Sequence, residues 1–233
     1  MLIAGFPAGS FQANCYLLAS AAGADCLVVD PGENAIEPLQ QLLTEHALTP
    51  VAVLLTHGHL DHIASAAEFC RSAEIPAYLH ADDQHLMDDP MSGLNDSIRA
   101  MLDGMALDDL RPPEVRGLDG GLELAGLRLA VDHTPGHTPG SVVFRIAAGS
   151  DAEGGANGKG GAGAGGPEVL LTGDTLFAGS VGRTDLPGGS WNVLEDSIHR
   201  LLLSRPDDAV ILPGHGRTST IGAERTGNPF LAA

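Results

Sequence analysis

The stretch THGHLDH, residues 56–62, places three histidines and an aspartate within seven positions, directly after the apolar run VAVLL at 51–55. Imidazole nitrogens and carboxylate oxygens at that density suit zinc, iron or manganese, whereas calcium takes oxygen ligands alone. Three more segments are built alike. VDHTPGHTPGS (131–141) supplies His137, VLLTGDTLF (169–177) supplies Asp174, and VILPGHG (210–216) supplies His215. In each, an apolar run ends in a turn whose glycine (Gly136, Gly173 or Gly214) precedes the ligand-type residue, where a sharp backbone bend is easy. With His57, His59, Asp61 and His62 this makes seven residues at four strand ends, the edge at which open α/β sheets place ligands. A capped turn with solvated histidines would explain THGHLDH alone but not the three parallel cases.

Other polar residues have two readings each. Asp30, in VVDPG, either supports a ligand or starts a turn before Pro-Gly. Thr56 adjoins the cluster and could orient it. Arg183 and Asp185, in GRTDLPGG, either pair to fix their loop or leave Arg183 to meet a substrate carboxylate. His46, His80, His85, His133 and His199 are expected to be solvated or structurally satisfied. Tyr16 and Phe177 read as core or pocket wall, and Trp191 as packing at a helix start.

The elements that must position these residues follow from hydrophobic pattern. LIAGF (2–6), CYLLA (15–19), CLVVD (26–30), VAVLL (51–55) and AYLH (77–80) read as strands. NAIEPLQQLLTEHAL (34–48) is an amphipathic helix through Ile36, Leu39, Leu42 and Leu43, and a second helix is expected over 61–73. Between 82 and 118 the pattern weakens, with short helices in DDQHLMDDP and DSIRAMLDGM. Strands return in GLRLAVD, SVVFRIA, EVLLTGD and DAVILPG, with a helix at 191–203. The reading is α/β: two β/α halves joined near 112–120, in one domain over 1–233. Residues 149–167, nearly half glycine, bury too little side chain to offset their ordering entropy and read as a flexible insert.

Composition narrows the partners. The chain has 233 residues, 43% of them hydrophobic, and a formal net charge of −18. Lys159 is the one lysine. Nucleic acid and anionic membrane surfaces call for a basic face, so both are excluded as expected partners. Cys15, Cys26 and Cys70 lack C-x-x-C spacing and read as small buried hydrophobes in a reduced, cytoplasmic setting. No basic region precedes a long apolar stretch near residue 1 and no apolar run approaches roughly 18 residues, so neither export nor membrane spanning is expected.

H-x-H-x-D-H followed by a lone His, a lone Asp and a last His resembles the metallo-β-lactamase superfamily. TPGHTPGS, GDTLFAGSVGRTDLPGG and PGHGRTSTIGAERTGNPF resemble its hydroxyacylglutathione hydrolase (glyoxalase II) branch, in a short form without the C-terminal helical domain. The resemblance implies a four-layer αββα sandwich and two divalent metal ions, zinc foremost, with iron or manganese as alternatives. It assigns His57, His59 and His137 to one ion, Asp61, His62 and His215 to the other, and Asp174 to both. It makes Asp61 and Asp174 catalytic and gives Asp30 a hydrogen bond from a metal-bound histidine. The implied reaction is attack of a metal-bridging hydroxide on a small-molecule thioester such as S-D-lactoylglutathione. A mononuclear-iron persulfide dioxygenase is the alternative on much the same ligands; a lactonase, a β-lactamase and a non-catalytic scaffold rank below it. Arg217 and Arg225 are the cations after His215, so strong reading of glutathione carboxylates is not expected.

Overall fold

A computed structural model describes residues 1–101, 109–118, 120–151 and 166–231. Two six-stranded sheets dominate it. The first contains β1 (Leu2–Ala8), β2 (Ala13–Ala19), β3 (Asp25–Val29), β4 (Thr49–Leu54), β5 (Ala77–Tyr78) and β6 (Val115–Arg116), paired in chain order. β1, β2 and β3 are antiparallel, and β3 to β6 run parallel. The second contains β7 (Leu122–Leu124), β8 (Leu127–His133), β9 (Val142–Asp151) and β10 (Val169–Gly173). A small hairpin of β11 (Leu176–Phe177) and β12 (Ser180–Val181) follows, and then β13 (Val210–Pro213) and β14 (Ser219–Thr220) complete the second sheet in the order β14-β13-β10-β9-β8-β7. β10 and β13 are parallel, so their C-terminal ends open on the same edge.

Three apolar clusters make the layers. Leu17, Val28 and Val53 of the first sheet, with Leu55 just after β4, pack against Leu39 and Phe69, which lie on α1 (Ile36–His46) and on the helix at 66–73. Leu18, Leu27, Val29 and Leu54 face Leu129, Phe144, Ile146 and Leu171 across the space between the sheets. Val143, Leu170 and Ile211, on the outer face of the second sheet, meet Leu194, Ile198 and Leu202. β4 and β10, alternating their side chains, therefore serve two cores each, which is why both read as continuous apolar runs. Helix, sheet, sheet, helix is the αββα sandwich.

Two expectations need correction. The helix expected over 61–73 is two helices, α2 (Leu60–Ile63) and α3 (Ala66–Ala73). The chain breaks at Ser65, whose N–H donates to Pro31 O at 3.0 Å instead of to its own helix. α2 also lies so close to the β3 turn that a Cβ on Gly32 would come within 2.0 Å of Asp61 O. Over 191–203, α6 (Trp191–Ser197) gives way to a wider turn at Ile198–Leu202. Short helices α4 (His85–Asp88) and α5 (Asp96–Met101) fall in the weakly patterned stretch, and α7 (Ile221–Gly227) follows β14. Most of the Gly-rich insert lies outside the described residues. No helix among those described is long and apolar enough to cross a membrane.

Candidate metal centre

All seven ligand-type residues meet at one point. His57 and His59 follow β4, Asp61 and His62 lie on α2, His137 is in the β8–β9 loop, and Asp174 and His215 directly follow β10 and β13. Hydrogen bonds stitch these ends together. Val142 N–H donates to Thr56 O (2.8 Å), Gly214 N–H to Gly173 O (2.7 Å) and Asn14 N–H to Gly214 O (2.7 Å).

Ligand-type atoms of His57, His59 and His137 lie within 4.8 Å of one another, as do those of Asp61, His62 and His215. That is close to the span of one cation with roughly 2 Å bonds. Asp174 faces both groups. Its Oδ1 is 3.3 Å from His62 Nε2, and its Oδ2 is 3.6 Å from His137 Nε2 and 3.5 Å from His215 Nε2. Exposure is graded: His57, His59 and His62 are at 1%, 5% and 0%, whereas the side chains of Asp61 and His215 are at 21% and 27%. The Asp61/His62/His215 group therefore opens toward solvent.

The site has the chemistry of a metal centre. His57 Nε2, His59 Nε2 and Asp174 Oδ1 are buried without a hydrogen-bond partner. Such orphans are costly unless something else satisfies them. Burial holds His57 well below its ordinary value and lowers His59 to about 3, so both imidazoles keep a lone pair for an electrophile. Burial opposes charge on His62 too, but the carboxylates of Asp174 and Asp61 outweigh it and raise its pKa. His62 in turn holds Asp174 ionised despite burial.

Supporting groups orient the rings. Asp30, at φ 50°, accepts hydrogen bonds from Thr56 N–H (2.8 Å) and Thr56 Oγ1 (2.6 Å), and its Oδ2 is 3.0 Å from His62 Nδ1. A left-handed non-glycine residue beside such a cluster is strain of the kind held at functional sites. Thr56 Oγ1 is also 3.0 Å from His57 Nδ1. His137 Nδ1 donates to Arg183 O at 2.7 Å, which leaves Nε2 facing the centre. The Arg183 guanidinium is held by both oxygens of Asp185 at 2.7 Å each, so the ion pair forms and Arg183 also borders the cavity.

Glycine has different reasons at two ligand turns. Gly173 adopts φ 46°, the bend expected of it. Gly214 has no such backbone; a Cβ there would lie 2.1 Å from Asp174 Oδ1, so close approach is what excludes a side chain.

A cavity of about 310 Å³ opens over the centre. Phe11, Leu60, Leu94, Ile98, Phe177 and Val181 wall it, and Arg183 is the one cation among its lining residues. Arg225 instead pairs with Asp207 and donates to the carbonyls of Leu203 and Arg205, and Arg217 lines a separate cleft. Trp191 starts α6 and does not line the cavity. His80 and His133 stack at 4.2 Å on the outside, their ring nitrogens engaged by Asp82 N–H and Pro139 O.

Asn14 and Asp83 were not anticipated. Asn14 Nδ2 donates to Pro213 O and Gly216 O at 2.9 Å each, and Tyr16 Oη donates to Pro213 O at 2.8 Å, clasping the His215 loop from β2. Asp83 is fully buried and holds two ligand loops. The signal for it was faint: one of two adjacent acids in HADD.

Comparison with known proteins agrees with this geometry. The model of the metallo-beta-lactamase superfamily matches residues 8–152 and 154–215. The chain is 46% identical over 234 residues to an uncharacterized protein of Mycobacterium leprae, covering 99% of each. It is 36% identical over 225 residues to the probable metallo-hydrolase YqgX of Bacillus subtilis (97% of this chain, 95% of the other). It is 33% identical over 227 residues to the hydroxyacylglutathione hydrolase GloC of Haemophilus influenzae, with the same coverage. Among solved structures, the BLEG-1 B3 metallo-beta-lactamase superposes with TM-score 0.81 at 35% identity, over 100% of both chains. TTHA1623, solved in a di-iron-bound form, superposes with TM-score 0.74 at 36% identity, over 99% of this chain and 100% of its own.

Proposed function

The chain belongs to the metallo-beta-lactamase superfamily, and from that premise we propose that it is a hydrolase of acyl thioesters working with two divalent metal ions. S-(2-Hydroxyacyl) thioesters such as S-D-lactoylglutathione are the substrate class. The observation that carries the reading is the convergence of unpaired donor atoms: His57 Nε2 and Asp174 Oδ1 are buried without a partner, and His59 Nδ1 meets His137 Nε2 at 2.8 Å with no acidic or carbonyl oxygen between them, beside a cavity lined by His59, His137, Asp174 and His215. Its thioester part is supported by the 33% identity to the Haemophilus hydroxyacylglutathione hydrolase.

His57, His59 and His137 would hold one ion, Asp61, His62 and His215 the other, with Asp174 shared. Zinc and iron both suit five imidazoles and two carboxylates, and the di-iron form of TTHA1623 makes iron a real competitor to zinc. Ions held there would supply Lewis-acid chemistry, acidifying a water as nucleophile and polarising an acyl carbonyl. The chain's own groups do the rest. Asp30 and Arg183 O set the orientation of His62 and His137. Asp61 and His215, the more exposed pair, face the side from which substrate arrives. Phe11, Leu60 and Phe177 exclude water from the acyl group. A thiolate leaves readily, so no proton donor is needed at sulfur, and the three cysteines are buried away as potential nucleophiles. With Arg183 already engaged by Asp185, the thiol carrier is selected weakly by charge.

The test is to measure metal content by mass spectrometry and follow hydrolysis of S-D-lactoylglutathione and of lactoyl-coenzyme A after chelation and add-back of zinc, iron or manganese. Metal-dependent turnover of both esters is the expected result. One iron per chain with persulfide-dependent oxygen uptake, or hydrolysis of β-lactams in place of thioesters, would overturn it.

A further inference from the structure

Asp83 ends a 3-10 turn, Ala81–Asp83, just beyond β5, and its side chain is inaccessible to solvent. Its carboxylate accepts three hydrogen bonds: from Gly58 N–H (2.9 Å), Thr138 Oγ1 (2.6 Å) and Gly140 N–H (2.7 Å). Gly58 sits between His57 and His59, and Thr138 follows His137. One carboxylate thus ties the loop after β4, in the first sheet, to the β8–β9 loop of the second. Together these loops carry the three histidines of one group and no residue of the other. The fit is close: a Cβ on Gly140 would come within 2.6 Å of Asp83 Cγ, and one on Gly58 within 2.9 Å of Asp83 O. Ser141 extends the network, its Oγ 2.7 Å from Thr138 Oγ1 and accepting from Thr138 N–H at 3.1 Å. The segment that carries Asp83 also meets the end of β8 outside, where His80 stacks on His133 and His133 Nε2 donates to Pro139 O.

Asp30 offers a direct contrast. It also accepts from the loop after β4, but its remaining contact is with His62, in the other group. Asp83 makes no hydrogen bond to any imidazole and can act only through the loops.

We propose that Asp83 is a positioning residue that sets the spacing of His57, His59 and His137, independently of the Asp61/His62/His215 group. The inference rests on the two-ion reading above, and metal affinity tests it without any assay of turnover. The full chain is used with Asp83→Asn in two backgrounds. His215→Ala leaves the three-histidine group complete, and His57→Ala leaves the other group complete. Zinc affinity is measured in each by competition with a chromophoric chelator. Loss of a group that orients a metal site through hydrogen bonds typically costs about 10- to 100-fold in affinity. A loss of that size is expected in the His215→Ala background, with affinity unchanged in the His57→Ala background. Equal losses in both, or none in either, would overturn the proposal. Thr138→Val keeps the carboxylate and both backbone donors, and guards against misfolding of the Asp83 variant. It should weaken the same background by a smaller factor and leave the other unchanged. Failure of the unsubstituted chain to bind zinc, iron or manganese would refute the two-ion reading itself, whereas unaltered affinities beside a metal-binding parent refute only the role of Asp83.

Discussion

Asp30 Oδ2 lies 3.0 Å from His62 Nδ1, the ring nitrogen that points away from Asp174. Deprived of that acceptor, His62 no longer has its proton fixed on Nδ1. Asp30→Asn should therefore weaken binding of one ion about 10- to 100-fold. Asparagine tolerates a left-handed backbone, so the φ of 50° at this position is not the source of the effect. Zinc competition titration reads the loss; unchanged affinity would show that His62 is oriented by packing alone.

At Gly214 the predicted failure is steric. A methyl group there would lie 2.1 Å from Asp174 Oδ1 and 2.8 Å from His62 Cε1. Gly214→Ala should lower thioester hydrolysis on the order of 100-fold, the cost of a misplacement near 1 Å. Gly166, with nothing within 4 Å of its would-be Cβ, is the control and should accept alanine without change.

For Arg183 the expected outcome is near-silence. Its guanidinium is held by Asp185, and its contribution to orienting His137 comes from a backbone carbonyl that alanine retains. Arg183→Ala should shift KM for S-D-lactoylglutathione less than about threefold, as befits an exposed pair. A tenfold rise would show the guanidinium leaving Asp185 for the substrate. The Arg183 hydrogen bonds hold Asp185 down at about 2 from its ordinary 3.8. The stability from that lowered value is present above 3.8 and is lost as pH falls through about 2. Asp185→Asn should accordingly leave the pH profile of hydrolysis unchanged in the neutral range.

The cysteines should be silent in the folded protein. Burial pushes Cys26 and Cys70 up to about 12 and raises Cys15 as well. A chromogenic disulfide at about pH 8 should titrate no thiols before denaturation and three after it. Because the folded values lie above the ordinary 9.0, the protonated thiols stabilise the fold fully below that pH. This contribution declines as pH rises toward 12, and alkaline melts should show it. Rapid labelling of the native chain would contradict the burial of all three.

How much of this was legible beforehand depended on how local each signal was. His57, His59, His137, Asp174 and His215 stand out because each interrupts the end of an apolar run, and strand ends are marked by neighbouring residues alone. The break at Ser65 is invisible in sequence, since a helical period continues across it and the competing acceptor, Pro31 O, lies over thirty residues away. Asp83 is hidden for the same reason. An acid in HADD looks solvated until Gly58 and Gly140, from two other loops, turn their N–H groups toward it. The turn before His215 misled differently. Its glycine reads as a bend, when the true constraint is the carboxylate of Asp174, just after β10, occupying the place a Cβ would take.

Drawing ligands from the ends of β4, β10 and β13 has a mechanical consequence. Once loaded, the ions would act as a cross-link joining the N-terminal and C-terminal portions of the chain, for neither sheet could peel away without surrendering bonds to them. Chelation should then do more than stop chemistry: it should let the two portions fray separately, turning one sharp melting transition into a broader one and exposing new sites to proteases.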